Sequence, residues 1–123
     1  IFLSEINRVM KKDGLIILTL PFIWDEHEQP YDYARYSSFG LNYLIKKKGF
    51  EVVNQIKTCN NFTVIIQIIN CYIYKKLCYK KFFLLKVFGF SFVLFLNFFG
   101  ILLSVLPKNN DLYLDNFILA RKK

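Results

Sequence analysis

The sequence predicts an α/β domain with a long apolar segment set into it. Three observations carry that reading. Leu15-Ile16-Ile17-Leu18-Thr19-Leu20 is an unbroken apolar run that follows an amphipathic helical stretch and a glycine. A second helical stretch around Leu41, Leu44 and Ile45 leads through Gly49 into an alternating segment, Phe50 to Lys57. Between these and a final β-type segment lie the twenty uncharged residues from Val87 to Leu106. Helix-period and strand-period patterns alternating along one short chain are the mark of the α/β class.

Taken in order, Ile1 to Lys12 reads as a helix with Leu3, Ile6, Val9 and Met10 on one face and Glu5, Arg8, Lys11 and Lys12 outside. Glu5 and Arg8 stand three apart, close enough to pair, and Gly14 supplies a left-handed stop. The run Leu15 to Leu20 has no polar alternation, so both of its faces are expected to be covered, as in a parallel sheet between helices. Pro21 cannot donate to a ladder and ends it. Ser37 or Ser38 can cap the second helix, whose Leu41, Leu44 and Ile45 face inward and which Gly49 closes. In the next strand Phe50, Val52 and Ile56 are expected on one side, with Glu51, Gln55 and Lys57 on the other. Asn60-Asn61 breaks the pattern. Phe62 to Tyr74 is apolar for too long to be one strand and reads as a helix. Asp111 to Ala120 has apolar or aromatic residues on both faces and reads as the last strand. The expected organisation is therefore a helix–strand–loop–helix–strand unit over 1–58, an apolar helical insertion over 59–110, and a final strand with a basic tail over 111–123.

Apolar residues make up 54% of the 123 and the formal charge is +8, both high for a globular domain. Residues 1–58 carry eight Lys/Arg against seven Asp/Glu, while 59–123 carry nine against two. The excess charge thus lies beside the greasiest stretch. Nucleic-acid binding would mix basic with polar residues on an exposed face; here the lysines flank a Phe-rich run, which points to an anionic membrane surface, the alternative being a solvated lysine face. Cys59, Cys71 and Cys78 form no Cys-x-x-Cys pair, so neither a disulfide framework nor a zinc site is indicated and a reducing compartment fits. The chain opens on Ile inside a helical pattern and reads as a fragment.

Polar chemistry is concentrated after Pro21: Asp25, Glu26, His27, Glu28, Asp32 and Arg35, interleaved with Trp24, Tyr31, Tyr33 and Tyr36. In open α/β sheets ligands bind beyond the carboxyl ends of the strands. His27, the one histidine, is a candidate general base or acceptor-positioning group, or else it pins the loop. Asp32 and Arg35 either pair with each other or leave Arg35 to orient a carboxylate or phosphate. Tyr36, with Tyr31 and Tyr33, either lines or closes a pocket, or packs.

The run Glu5-Ile6-x-Arg8-Val9-Met10-Lys11, followed by Gly14 and an apolar strand ending at Pro21, resembles the late motif of class I S-adenosylmethionine-dependent methyltransferases, where Glu-x-x-Arg-Val-Leu-Lys-Pro-Gly-Gly precedes the fifth strand. Lys12-Asp13 replaces Pro-Gly here. His27-x-x-Pro30-x-Asp32-x-x-Arg35-Tyr36, Gly49-Phe50-Glu51-Val52 and Asp111-Leu112-Tyr113-Leu114-Asp115-Asn116 resemble the methyltransferase type 11-like branch. The resemblance implies a partial Rossmann-like sheet: the last three strands of seven, with helices on both sides, the final two strands antiparallel and an apolar helical insertion before the last. It also implies S-adenosylmethionine as cofactor, although the glycine-rich loop and the other elements that hold it are absent from this sequence, so that no cofactor-binding residue is expected here. What this chain would contribute is the acceptor side of the pocket, with His27, Asp32, Arg35 and Tyr36 as site residues and a small-molecule, lipid-linked or glycan-linked methyl acceptor. The rival expectation is a non-catalytic, membrane-associated remnant or interaction module.

Val87 to Leu106 is long enough to span a bilayer. Lysines on both flanks (Lys75, Lys76, Lys80, Lys81 and Lys86 before, Lys108 and Arg121 to Lys123 after) give one span no orientation. Gly89, Asn97 and Gly100 suggest a kink into a shallow interfacial hairpin or an interfacial helix at the cytoplasmic face, the alternative being a single span over 87–106.

Overall fold

A computed structural model describes residues 2–79 and 81–123; Ile1 and Lys80 lie outside the described residues. The elements in chain order are α1 (Phe2–Val9), β1 (Leu15–Pro21), α2 (Ser38–Lys47), β2 (Phe50–Lys57), α3 (Thr63–Ile73) with a π-helical turn (Tyr74–Cys78), α4 (Phe83–Leu103) and β3 (Asp115–Lys122). The chain divides into two compact units: residues 1–58 with 113–123, and residues 59–112.

The first unit is mixed α/β, built on an open three-stranded sheet of order β1-β3-β2. The last strand in sequence is the middle one. It pairs antiparallel with β1 (Leu18 opposite Ile118) and antiparallel with β2 (Ile56 opposite Phe117). Beyond the strands the ladder continues, with the Phe22 N–H donating to the Leu114 carbonyl at 2.7 Å and the Leu114 N–H to the Thr58 carbonyl at 3.1 Å.

Both α1 and α2 cover one face of this sheet. Leu41 and Ile45 of α2, with Leu3, Ile6 and Met10 beside them, close over Ile16, Leu18, Leu20, Phe50, Val52, Ile118 and Ala120. Phe50, Ile118 and Ala120 are fully buried, and burying a side chain of the size of Phe or Ile contributes about 1.5–3 kcal/mol. Ser37 caps α2 by accepting from the Gly40 N–H at 3.2 Å. Lys122 donates to the Asn7 and Met10 carbonyls, the latter at 2.8 Å, and so neutralises the carbonyl end of α1 from the last strand.

Several expectations are corrected by this arrangement. β1 is not covered on both faces: Leu15 and Ile17 are exposed, because both helices lie on the other side of the sheet, and its described partner is antiparallel. In α1, Val9 turns outward and Asn7 inward, where its Nδ2 donates to the Lys48 carbonyl at 2.9 Å. Asp13, not Gly14, takes the left-handed conformation (φ 62°), as a short polar side chain allows. Gly14 serves close approach instead, since a Cβ there would sit 2.9 Å from the Lys11 carbonyl oxygen. Ile56 does not share a face with Phe50 and Val52. A bulge between Val52 and Asn54 inserts one residue, and the parity of the strand reverses after it. Gln55 and Lys57 therefore face the side of the core and Ile56 is half exposed. β3 begins at Asp115, four residues later than the pattern from Asp111 suggests.

The second unit is a helical hairpin. α3 and the π-helical turn run against α4. α4 is a single uninterrupted helix of 21 residues, so Gly89, Asn97 and Gly100 do not fold it back into a hairpin of its own. They face its partner instead: Gly89 lies against Cys78 and Leu77, Gly100 against Ile66, and Asn97 Oδ1 accepts from Asn70 Nδ2 at 2.7 Å. At the base of the hairpin the Asn109 N–H donates to the Asn60 carbonyl at 2.8 Å, and Asn60 Nδ2 to Asn110 Oδ1 at 2.7 Å.

Candidate functional site

The loop between Phe22 and Ser37 leaves the carboxyl end of β1 and is folded around one ion pair. Arg35 presents both terminal nitrogens to Asp32: Nη1 to Oδ1, and Nη2 to Oδ2 at 2.5 Å. Nη2 also donates to the Asp25 carbonyl at 3.1 Å, tying the two limbs of the loop together. The Asp32 side chain is 9% exposed. Its hydrogen bonds with Arg35 hold its carboxyl below the usual carboxylate range, and the same contact raises the Arg35 guanidinium. A planar, bidentate fork is the geometry that guanidinium and carboxylate favour.

His27 sits on the rim of this pair. Its backbone N–H donates to Asp32 Oδ2 at 3.3 Å, and its ring Nδ1 lies 3.1 Å from the Asp25 carbonyl and 3.6 Å from Asp32 Oδ2. A carbonyl oxygen only accepts, so Nδ1 carries the proton in that contact and the neutral ring keeps its lone pair on Nε2. The imidazole is thereby oriented as a base at Nε2, with 43% of the side chain open to solvent.

Two hollows flank Trp24. One, of about 300 Å³, is lined by Pro21, Trp24, His27, Leu114 and Asp115. The other, of about 260 Å³, is lined by Trp24, Glu26, Asp32, Tyr33, Ala34 and Arg35. Of the four site residues expected from sequence, His27, Asp32 and Arg35 come together. Tyr36 does not join them: it packs against the core and lines a separate apolar groove with Phe2, Leu3, Leu18, Leu20, Leu41, Leu44 and Lys48. Tyr31 and Tyr33 meet edge to face at 6.4 Å and are largely exposed.

Beneath the loop is a polar cluster that sequence reasoning missed. Asn116 is fully buried; its Nδ2 donates to the Tyr36 carbonyl at 3.0 Å and its Oδ1 accepts from Gln55 Nε2 at 3.2 Å. Asn42 donates to Gln55 Oε1 and to the Ser38 carbonyl. Tyr113, 2% exposed, accepts the Ser38 N–H at its hydroxyl (2.9 Å), stacks on Phe22 at 4.6 Å and lies under the Lys57 ammonium at 4.7 Å. β3 thus fixes the exit of β1 and the start of α2 together. The bulge that turns Gln55 inward is what brings it to Asn116, and parity alone does not foretell a bulge.

S-adenosylmethionine, the cofactor that the resemblance implies, is held in that family beside a glycine-rich loop. Gly14 precedes β1, Gly40 lies in α2, Gly49 ends it, and Gly89 and Gly100 lie in α4. None stands in a loop at the carboxyl end of a strand, where a backbone would have to approach the cofactor closely. Among the described residues no group of three His, Cys, Asp or Glu side chains could hold a metal ion. Scans of the chain against protein-family models, curated proteins and solved structures each gave no match.

Proposed function

We propose that this chain forms the acceptor side of a class I S-adenosylmethionine-dependent methyltransferase with a Rossmann-like sheet, working at a membrane. The observation that supports this most is the course of the sheet. A helix–turn–strand unit bearing the Glu5…Arg8-Val9 motif runs into a polar loop at the strand's carboxyl end, and the final two strands form an antiparallel pair with a helical insertion between them. The open edge of β1 and its bare apolar face at Leu15 and Ile17 suit a strand that has further neighbours in a larger sheet.

S-adenosylmethionine would supply the methyl group and would be held by residues outside this sequence. The acceptor would lie in the hollow of Pro21, Trp24, His27, Leu114 and Asp115, at about 300 Å³ the low end of ligand pockets. His27 Nε2 would take the proton released by a hydroxyl or amine acceptor. Arg35 is engaged by Asp32 and holds the loop's shape, which places it and Asp32 as positioning residues, while Tyr36 shapes the apolar groove.

The test is methyl transfer by the native gene product, isolated from membranes and given radiolabelled S-adenosylmethionine with a lipid extract of the same membranes. Labelled lipid is expected, with transfer lowered about 10²–10⁴-fold by His27→Ala. Transfer undiminished in His27→Ala would remove the base, and no transfer by the native protein would remove the enzyme. A second reading, a non-catalytic membrane-associated interaction module, draws on the mutual neutralisation of Asp32 and Arg35 and on the glycine placement. Calorimetric titration of the 123-residue chain with S-adenosylmethionine is expected to show no binding on either reading. Tight binding would overturn the statement that the cofactor elements lie elsewhere.

A further inference from the structure

We propose that residues 59–112 form a hairpin that inserts through an anionic lipid bilayer, entering and leaving on the same side. This holds independently of the methyl-transfer reading. It begins with where the apolar side chains of α4 point. The helix is apolar around nearly its whole circumference, and 11% of its most apolar window is buried, far from the enclosure of a core helix. Phe88, Phe92, Phe95 and Phe99 stack in sequence along one exposed side at 6.2 to 6.5 Å, while Leu84, Leu94, Phe98 and Ile101 lie open on others. A helix lying in the headgroup plane needs a polar face for water. α4 has none, and a helix apolar all round belongs inside protein or hydrocarbon.

Its inner line carries the opposite chemistry. Gly89 and Gly100 lie against the π-helical turn and α3, Phe90 meets Tyr74 edge to face beside them, and Asn70, 5% exposed, gives its amide hydrogen to Asn97, which stays exposed at the seam. Small residues that let backbones approach, and amides bonded from one helix to the next, are how helices associate in lipid, where burying apolar surface gains nothing. In water the same design would leave the hairpin with its greasy side out.

Length and charge complete the fit. Twenty-one residues rise about 31 Å, matching a hydrocarbon core of about 30 Å. Lys75 and Lys76 lie in the π-helical turn and Lys86 in the first turns of α4, Lys108 follows the helix, and Asp111 is the one acidic residue in the sequence of the segment. Anionic phosphates answer that imbalance, which selects a bilayer over an apolar protein groove. A lone crossing by α4 is excluded by the chain's course: Lys57 and Asn116, on either side of the hairpin, are partners in the same sheet. The chain must come back.

The full chain, mixed with vesicles of phosphatidylcholine and phosphatidylglycerol, is tested by flotation. It is expected to stay with the lipid through an alkaline carbonate wash and through about 1 M NaCl, where surface charge is screened within about 3 Å; extraction by either would overturn insertion. Depth is read from Phe95→Trp in a Trp24→Phe background, with Phe92→Trp as a second reporter. Quenching by brominated phosphatidylcholine is expected to strengthen as the bromines move from the headgroup end towards the middle of the bilayer. Strongest quenching at the headgroup end in both reporters would overturn the transbilayer hairpin in favour of a surface-lying one.

Discussion

Phe50 and Phe95 are the same side chain in opposite settings. Phe50 starts β2 and is fully buried under α2, while Phe95, midway along α4, is 60% exposed in a ladder of other exposed rings. The polar residues are inverted as well. In the sheet unit Asn116 is buried at the heart of a satisfied cluster that fixes a surface loop; in the hairpin Asn70 and Asn97 meet between two helices whose outer surfaces are greasy. The sheet unit gathers apolar side chains under α1 and α2 while leaving Leu15 and Ile17 bare on its other face, and the hairpin displays most of the length of α4. Composition alone reports how much apolar surface a chain has, and packing reports how much of it is hidden from solvent.

The largest contrast is expected between those two phenylalanines. Phe50→Ala is expected to cost about 3–5 kcal/mol in denaturant unfolding of the chain in detergent micelles. Phe95→Ala is expected to change stability by no more than about 0.5 kcal/mol, because detergent or lipid takes the place of the ring. Equal losses would mean that α4 is a protein-packed helix after all.

Next come the hairpin glycines. A Cβ on Gly89 would lie 2.9 Å from Cys78 Sγ and 3.0 Å from Leu77 Cβ, whereas one on Gly100 would meet Ile66 at 3.3 Å. Gly89→Ala is therefore expected to destabilise the hairpin by about 1–3 kcal/mol. Gly100→Ala falls near zero, its crowding offset by a gain in helix propensity of up to about 1 kcal/mol. Thermal melts in micelles order the two, and a reversed order would show that the arms meet along another line.

Asn97→Leu leaves the buried Asn70 amide without its acceptor and is expected to cost about 1–2 kcal/mol. Changing Asn70 and Asn97 to Leu together is expected to recover most of that, since no orphaned amide remains. A double variant as weak as the single one would mean that the pair is not shared between the arms.

The smallest effect concerns acid. Asp32 titrates below its ordinary range because Arg35 holds its charged form. The stability this adds to the loop is present above the unfolded carboxylate value of about 3.9 and is lost as pH falls through the lower folded value. Protection of the amides in residues 25–35, taken relative to their intrinsic exchange rates, is expected to fall only below about pH 4, and Asp32→Asn to abolish that acid limb. An acid limb that persists unchanged in Asp32→Asn would show that another group holds the loop.

By itself the sequence determined what depends on local pattern. The helix at Leu41 to Ile45, its Ser37 cap, the strand at Leu15 to Leu20 ending at Pro21, and the helix after Asn60-Asn61 follow from periodicity and from proline, glycine and capping chemistry acting over a few residues. Three of the four candidate site residues meet because they lie within nine positions of one another in a loop. Long-range packing set the rest: that β3 lies between β1 and β2, that a bulge turns Gln55 inward to meet Asn116, that Tyr36 packs on the core, and that Gly89 and Gly100 lie against the other arm of the hairpin. Each of these is a pairing between residues far apart in the chain. A pattern of apolar and polar positions says which face of an element is sticky, and it carries no information about which distant face will meet it.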